Sequence, residues 1–97
     1  MIDRVVTLAP EGPVTLATVN QLLSKLPTAS RDQSFILDLS QAGPLDSSAL
    51  ALVATMKSRA TRQGANFRLL NIPDALRPLA QIYDLEEFIE TCKIRLP

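Results

Sequence analysis

The sequence predicts an α/β fold, a small domain in which about three helices pack against a central, mostly parallel sheet of about four strands. Short apolar runs of strand length alternate along the chain with longer segments of helical periodicity. Such alternation requires right-handed crossovers, which make successive strands parallel and place helices against the sheet. The chain has 97 residues, of which 46% are hydrophobic, and this is enough for one core. We therefore expect residues 1–97 to form a single domain.

The beginning of the chain predicts a strand, a turn and a helix. Residues 4–8 form an apolar run typical of a strand, and the turn-forming residues 10–13 end it. Apolar side chains then recur at helical spacing over residues 16–26. Thr15 is a suitable N-cap for this first helix, and Pro27 stops it.

The middle of the chain predicts a buried strand followed by a long helix. Residues 34–39 are a short apolar run of the kind found in a strand that is covered on both faces. A loop that contains Gly43 and Pro44 leads to a second helix over residues 47–63. Gly64 stands where a left-handed C-cap belongs.

The last third of the chain predicts one more strand and one more helix. Residues 66–70 form an apolar run of strand length, and the third helix opens at Pro73 and reaches about residue 84. Pro78 lies inside this helix and removes a backbone hydrogen bond, so we expect a kink or a restart there. Residues 88–94 predict a short terminal strand or an irregular tail.

The charge balance and the rarest residues exclude several classes of function. Ten basic residues offset ten acidic ones, so the basic excess expected of a nucleic-acid-binding protein is missing. Without histidine and with one cysteine, Cys92, the chain offers neither a zinc cluster nor a Ser-His-Asp or Cys-His arrangement. Its three glycines do not form a phosphate-binding loop. We expect no enzymatic activity, no metal and no cofactor, and we expect Cys92 to be a packing residue.

The same features bear on location. No apolar stretch approaches the roughly 20 residues that a membrane span needs, so we expect no direct membrane insertion. Residues 1–4 carry a charge pair and do not resemble a signal peptide. A lone cysteine suits a reducing compartment. We therefore expect a cytoplasmic protein.

The junction before the second helix concentrates polar residues. Asp46, Ser47 and Ser48 stand where the first N–H groups of a helix lack partners. One interpretation is capping, in which Asp46 or Ser47 accepts from those N–H groups. The other is recognition of a partner. Asp38, at the end of the preceding strand, is expected to hold the following loop by hydrogen bonds.

The second helix also carries more apolar residues than one buried face requires. The face expected to pack against the sheet comprises Leu50, Val53, Ala54, Lys57 and Ala60. A second stripe comprises Ser48, Leu52, Thr55 and Arg59. Leu52 and Met56 then lie on or near the exposed side, unless another helix covers them. If they are exposed beside a polar helix start, they indicate a docking site.

The junction resembles the signature of the STAS domain, the fold of bacterial anti-sigma factor antagonists. A strand ending in Asp-Leu-Ser (residues 38–40) leads through a short loop to Asp-Ser-Ser-Ala-Leu (residues 46–50), which opens a helix. The order of elements from residue 4 to about residue 85 agrees with this family. The resemblance implies a domain that works by binding a protein partner.

Within that family, the chain is more similar to the STAS subunit of the Mla phospholipid-transport ABC complex. Residues 50–52, 62–66 and 79–85 carry this closer likeness. It implies a non-enzymatic accessory subunit that binds the transporter's ATPase subunit. Such a protein lies peripheral to the inner membrane through its partner complex, which maintains outer-membrane lipid asymmetry.

The resemblance assigns different roles to the two hydroxyls. In sigma-regulating members, the second one, Ser48 here, is phosphorylated by an anti-sigma kinase. In Mla-type members, the first one, Ser47 here, matters for binding the ATPase. Ala49 replaces the usual glycine of the motif. Thr15 falls where sigma-regulating members often carry an acidic residue, which puts a kinase cycle in doubt.

Two functions follow as hypotheses, an accessory subunit bound to an ABC-transporter ATPase and, as the alternative, an anti-sigma factor antagonist switched by phosphorylation of Ser48. The partner-binding surface expected for the first comprises Asp46, Ser47, Ser48, Leu52, Thr55, Met56 and Arg59.

Overall fold

The structure, a computed structural model, describes residues 5–26 and 30–93. Its strands are β1 (Val5–Leu8), β2 (Gly12–Val14), β3 (Ser34–Asp38), β4 (Ala42–Leu45) and β5 (Asn66–Leu70). Its helices are α1 (Val19–Ser24), α2 (Ser48–Gln63), α3 (Leu76–Ile82) and α4 (Glu86–Cys92). The predicted α/β class with parallel strands is confirmed. The described strands divide into a sheet of three and a sheet of two, rather than a single sheet of four.

The larger sheet has the order β1-β3-β5, and all of its strands are parallel. Phe35 in the central strand lies opposite Val6 on one side and Phe67 on the other. Because side chains alternate along a strand, this row shares one face with the row two residues further on, which contains Leu37 and Leu69, and on this face Phe35 and Phe67 are buried. On the opposite face, Thr7 and Arg68 are exposed.

The prediction that residues 34–39 form a strand covered on both faces is therefore wrong. Burial alternates along β3, with Phe35 and Leu37 buried and Ile36 between them half-buried. Leu39, which made the run look continuously apolar, is buried just beyond the end of the strand.

The helix α2 occupies the centre of the helical layer. It contacts β3 and β5 below and α1 and α3 at its sides. Gly64 closes it in the left-handed conformation, with φ 74°, as predicted. A helix with neighbours on three sides buries a wide arc of its surface, and only a narrow outer strip meets solvent.

The smaller sheet pairs β2 with β4 in parallel, and neither strand was expected from the sequence. Gly12 lies opposite Ala42, and Val14 lies opposite Leu45. Glycine and proline make these segments resemble a turn and a loop. A Cβ at Gly43 would stand 3.0 Å from the carbonyl carbon of Gly12, so glycine allows the two backbones to approach closely.

The first helix is shorter than predicted. Residues 15–18 form a turn, with the Val19 N–H donating to the Thr15 carbonyl at 2.8 Å. The expected side-chain cap from Thr15 is absent from α1, whose N-cap position is Thr18. Instead, the Thr18 hydroxyl donates to the Pro13 carbonyl at 2.8 Å. Pro27, the predicted stop, lies outside the described residues.

The chain ends differently from the prediction. Pro78 stands in the first turn of α3, where backbone N–H groups have no partner within the helix, so no hydrogen bond is lost. The predicted start at Pro73 is too early. The predicted terminal strand or tail is replaced by α4, followed by a single parallel bridge from Lys93 to Leu69. Residues 1–4 and 94–97 lie outside the described residues.

Candidate functional site

The segment that opens α2 is fastened to the loop after β2 by the side chain of Asp46. Its Oδ2 atom accepts a hydrogen bond from the backbone N–H of Leu16 at 3.0 Å. Its Oδ1 atom accepts from the backbone N–H of Ser48 at 2.8 Å. The N–H of Asp46 donates in turn to the carbonyl of Val14 at 3.3 Å. One residue thus fixes two loops against each other at the start of α2.

These hydrogen bonds lower the pKa of the Asp46 carboxyl below its usual value. The N–H of Leu16 has the largest effect, and the N–H of Ser48 comes next. Asp46 is therefore ionised at neutral pH. The capping interpretation is confirmed for Asp46, whereas Ser47, at the N-cap position itself, makes no side-chain capping bond.

The two neighbouring hydroxyls differ in accessibility. Ser47 is exposed, and Ser48 is half-buried. The hydroxyl of Ser48 also interacts with Asp46 and helps to lower the pKa of that carboxyl. Ser47 is therefore the hydroxyl that a partner can reach without displacing an existing contact.

Leu16, near these residues, is a large apolar side chain that the helical spacing assigned to the wrong environment. It fitted the helical spacing of the first helix, which places it with the core, yet it is 76% exposed. A single exposed leucine is common on protein surfaces, so exposure alone does not indicate a binding site. The significance of Leu16 is its position at this junction. Its backbone is tied to Asp46, which directly precedes Ser47. The long-range hydrogen bond that holds it leaves no signal in the sequence.

The flank of α2 does not present the predicted apolar surface. Leu52 and Met56 are both fully buried, so the expectation that they lie exposed is wrong. The helices α1 and α3 both contact α2, which agrees with the alternative expectation that another helix covers this flank. Thr55 and Arg59 remain half-buried. Ala54, which was expected to pack against the sheet, is exposed.

The outer strip of α2 is lined by small and polar side chains. Its exposed members over the first three turns are Ser47, Ala51, Ala54 and Ser58. Of the predicted surface, the structure thus brings Asp46, Ser47 and Ser48 together with Leu16. It leaves Thr55 and Arg59 farther along the helix.

The other singled-out residues have structural roles. Asp38 Oδ1 accepts from the Ser40 N–H at 2.9 Å and from Asn71 Nδ2 at 3.0 Å, which confirms its loop-holding role. These bonds lower the pKa of the Asp38 carboxyl, the Ser40 N–H most strongly. Cys92 is a buried packing residue, as predicted, and burial raises the pKa of its thiol.

The described part of the chain offers no other obvious chemistry. Within residues 5–26 and 30–93, no three His, Cys, Asp or Glu side chains are grouped so that they could hold a metal ion. A groove of about 530 Å³ lies between the end of β5 and the helices α3 and α4, and none of the predicted site residues lines it. None of the helices in these residues is long and apolar enough to cross a bilayer.

Comparison with known proteins places this geometry in a family. The family model of the STAS domain matches residues 1–96. Among solved structures, the fold is similar to that of a sulfate transporter family protein from Wolinella succinogenes, with a TM-score of 0.68. The two are 15% identical, and the match covers 92% of this chain and 75% of the other. No curated protein matches the sequence significantly.

The chain belongs to the STAS domain family. Domains of this family are generally non-catalytic and mediate regulatory protein–protein interactions.

Proposed function

We propose that this STAS domain protein is a single-domain, non-enzymatic accessory subunit that binds the ATPase of a phospholipid-transport ABC complex. In this proposal, it is cytoplasmic and peripheral to the inner membrane through its partner. The complex that it regulates or stabilises maintains outer-membrane lipid asymmetry. The docking surface is the start of α2 together with the loop before α1.

The observation that carries the proposal is the pairing of Ser47 with Leu16. An exposed hydroxyl beside a 76% exposed leucine gives a partner one polar and one apolar contact. Asp46 fixes the backbone on both sides through its hydrogen bonds to Leu16 and Ser48. Because the backbone that carries these side chains is already held in place, less conformational freedom is lost when a partner binds.

The choice of an ABC ATPase as partner is supported by the resemblance of residues 50–52, 62–66 and 79–85 to the Mla-type STAS subunit. A charged or bulky group at Ser47 would stand at the centre of the proposed contact. Thr55 and Arg59 are half-buried farther along the side of α2 and lie outside this contact.

The alternative function, an anti-sigma factor antagonist, requires a kinase to phosphorylate Ser48. The half-buried position of that hydroxyl and its contact with Asp46 oppose this. A phosphate there would carry about −1.5 to −2 charges next to an ionised carboxylate. The favourable helix dipole at the start of α2 acts in the other direction. Incubation with a cognate kinase and ATP, followed by intact-mass measurement, tests this alternative, and a clean phosphorylation of Ser48 would support it.

The direct test of the first proposal is a Ser47→Asp variant, assayed for co-purification with the ATPase subunit of an Mla-type ABC complex from the same organism. We expect the variant to fold as the wild type does, because Ser47 is exposed and makes no side-chain capping bond. We expect the variant not to co-purify with the ATPase, because burying an unpaired charge in the contact is unfavourable.

A matched control is Ser58→Asp, which adds the same group to the same exposed strip of α2. Eleven residues separate the two positions, or about 16 Å along the helix axis. Ser58→Asp should retain the ATPase. If Ser47→Asp co-purifies with the ATPase at wild-type stoichiometry, the proposed surface is wrong.

A further inference from the structure

The β1-β3-β5 sheet has two edges, and they are protected unequally. At the β5 edge, α4 packs against the strand, and Lys93 forms a parallel bridge with Leu69. At the β1 edge, the strand pairs with β3 alone. Alternate backbone groups of a strand point to opposite sides, so half of the N–H and C=O groups of β1 point away from β3. Within residues 5–26 and 30–93, none of these outward groups has a hydrogen-bond partner.

The sequence of β1 lacks the features that usually keep an exposed edge from pairing. Natural edge strands are protected by lysine or another charged residue, by proline or by a bulge. Residues 5–8 are Val-Val-Thr-Leu, with no charge and no proline, and their register with β3 runs without a bulge. β-branched residues of this kind favour an extended strand. The β1 edge is therefore a template on which a further strand can pair.

The side chains along this edge are also incompletely covered. On the outer face of the sheet, Val5 is 53% accessible to solvent and Thr7 is exposed. On the face that packs against the helices, Val6 and Leu8 contact the core but are only half-buried. A strand added at this edge would cover apolar surface on both faces of the sheet, which is favourable.

The lack of charge favours a second copy of the same chain as the occupant. Two copies related by a two-fold axis would pair their β1 strands in antiparallel orientation. In the register centred on Val6, Val5 would lie opposite Thr7 of the second copy, and Val6 would lie opposite its equivalent. Cross-strand pairs of β-branched side chains are favourable, and this arrangement brings no like charges together within residues 5–8.

We propose that the β1 edge is a self-association surface, through which two copies of the chain join their three-stranded sheets into one sheet of six strands. This inference does not rest on the proposed function, since neither Ser47 nor Leu16 takes part in the pairing. A contact along the four residues of β1 is smaller than the interface of a permanent dimer. We therefore expect a weak dimer whose population depends on concentration.

The test is the mass of the full chain in solution, measured by sedimentation equilibrium over a range of concentrations. We expect the average mass to rise from that of one chain, 10.6 kDa, toward twice this value. In the double variant Val5→Lys/Thr7→Lys, lysines of the two copies would stand opposite each other across the two-fold axis. Dimerisation of this variant should be weaker by about tenfold or more.

A matched control places the same charges on the other edge strand of the sheet. Asn66 lies in the row of Val5, and Arg68 lies in the row of Thr7, on the same outer face. Asn66→Lys therefore gives β5 two cations in the rows that the lysine variant changes on β1. This control should dimerise as the wild type does.

Reversal of charge identifies the strand that makes the contact. Val5→Glu/Thr7→Glu should be monomeric alone, and an equimolar mixture with the lysine variant should form a one-to-one heterodimer, because opposite charges then face each other. All the changed positions are exposed, so the variants should keep thermal midpoints close to that of the wild type.

Three results would overturn the proposal. The first is a wild-type chain that remains monomeric at millimolar concentration, a result that does not depend on how the variants fold. The second is a dimer that the lysine variant leaves intact. The third is a mixture of the lysine and glutamate variants that remains monomeric. None of these results bears on the binding of the ATPase through Ser47, which is measured separately.

Discussion

The start of α2 and the flank of the same helix differ in the exposure of their apolar side chains, and in each place the exposure is the opposite of what the sequence suggests. At the start, Leu16 from the turn before α1 is 76% exposed near an exposed Ser47. On the flank, Leu52 and Met56 are fully buried. The sequence of a helix shows the periodicity of its apolar residues, but the elements packed around the helix determine which of those residues are buried.

The difference has a simple cause. Two side helices, α1 and α3, widen the buried arc of α2 beyond the stripe that the sheet alone would cover. In contrast, residues 15–18 form a turn instead of the helix that their spacing predicts. The carboxylate of Asp46 holds this turn by accepting a hydrogen bond from the backbone N–H of Leu16. The proposed recognition surface therefore lies at the end of the helix and not along its side.

The largest expected difference in the free energy of unfolding is between alanine substitutions of Leu52 and Leu16. Leu52→Ala should lower the free energy of unfolding by about 3 kcal/mol, because it removes a fully buried side chain and leaves a cavity. Leu16→Ala should change it by less than about 0.5 kcal/mol, because the side chain is exposed. Chemical denaturation of both variants measures the contrast. Equal losses at the two positions would contradict the assignment of one to the core and the other to the surface.

A smaller loss in the free energy of unfolding, which should depend on pH, is expected from Asp46→Asn. Hydrogen bonds from Leu16 and Ser48 hold the pKa of the Asp46 carboxyl below its unfolded value of about 3.9. The stability that they add is present above that unfolded value and is lost as the pH falls through the lower folded value. Wild-type stability should therefore be steady above about pH 5 and fall below about pH 4.

The Asp46→Asn variant should be less stable than the wild type near neutral pH and should lose less on acidification. Asp38 also has a lowered pKa, so some acid dependence should persist until it is changed as well. An Asp46→Asn variant with the full wild-type acid dependence would show that this carboxylate does not clamp the junction.

Much of the fold could be predicted because its signals are local. Alternating runs of strand length and helical periodicity gave the α/β class, and Gly64 marked the end of α2 correctly. The strands β2 and β4 were missed because they are three and four residues long and contain glycine and proline. Their pairing depends on the close approach of Gly43 to Gly12, which is a long-range contact.

The candidate site was predictable in part for the same reason. The polar residues at the junction stand next to each other in sequence, and capping by Asp46 follows from helix chemistry. The exposure of Leu16 and the burial of Leu52 depend on segments far away in the chain. Neither can be deduced from spacing, since an exposed and a covered stripe have the same periodicity.

The most direct measurement is hydrogen–deuterium exchange of the chain alone and in complex with the ATPase subunit. We expect the partner to slow exchange over residues 15–18 and 46–51, where the exposed leucine and hydroxyl stand, and to leave the central strand β3 unchanged. A complex that forms with no protection in either of those two segments would contradict docking at the start of α2.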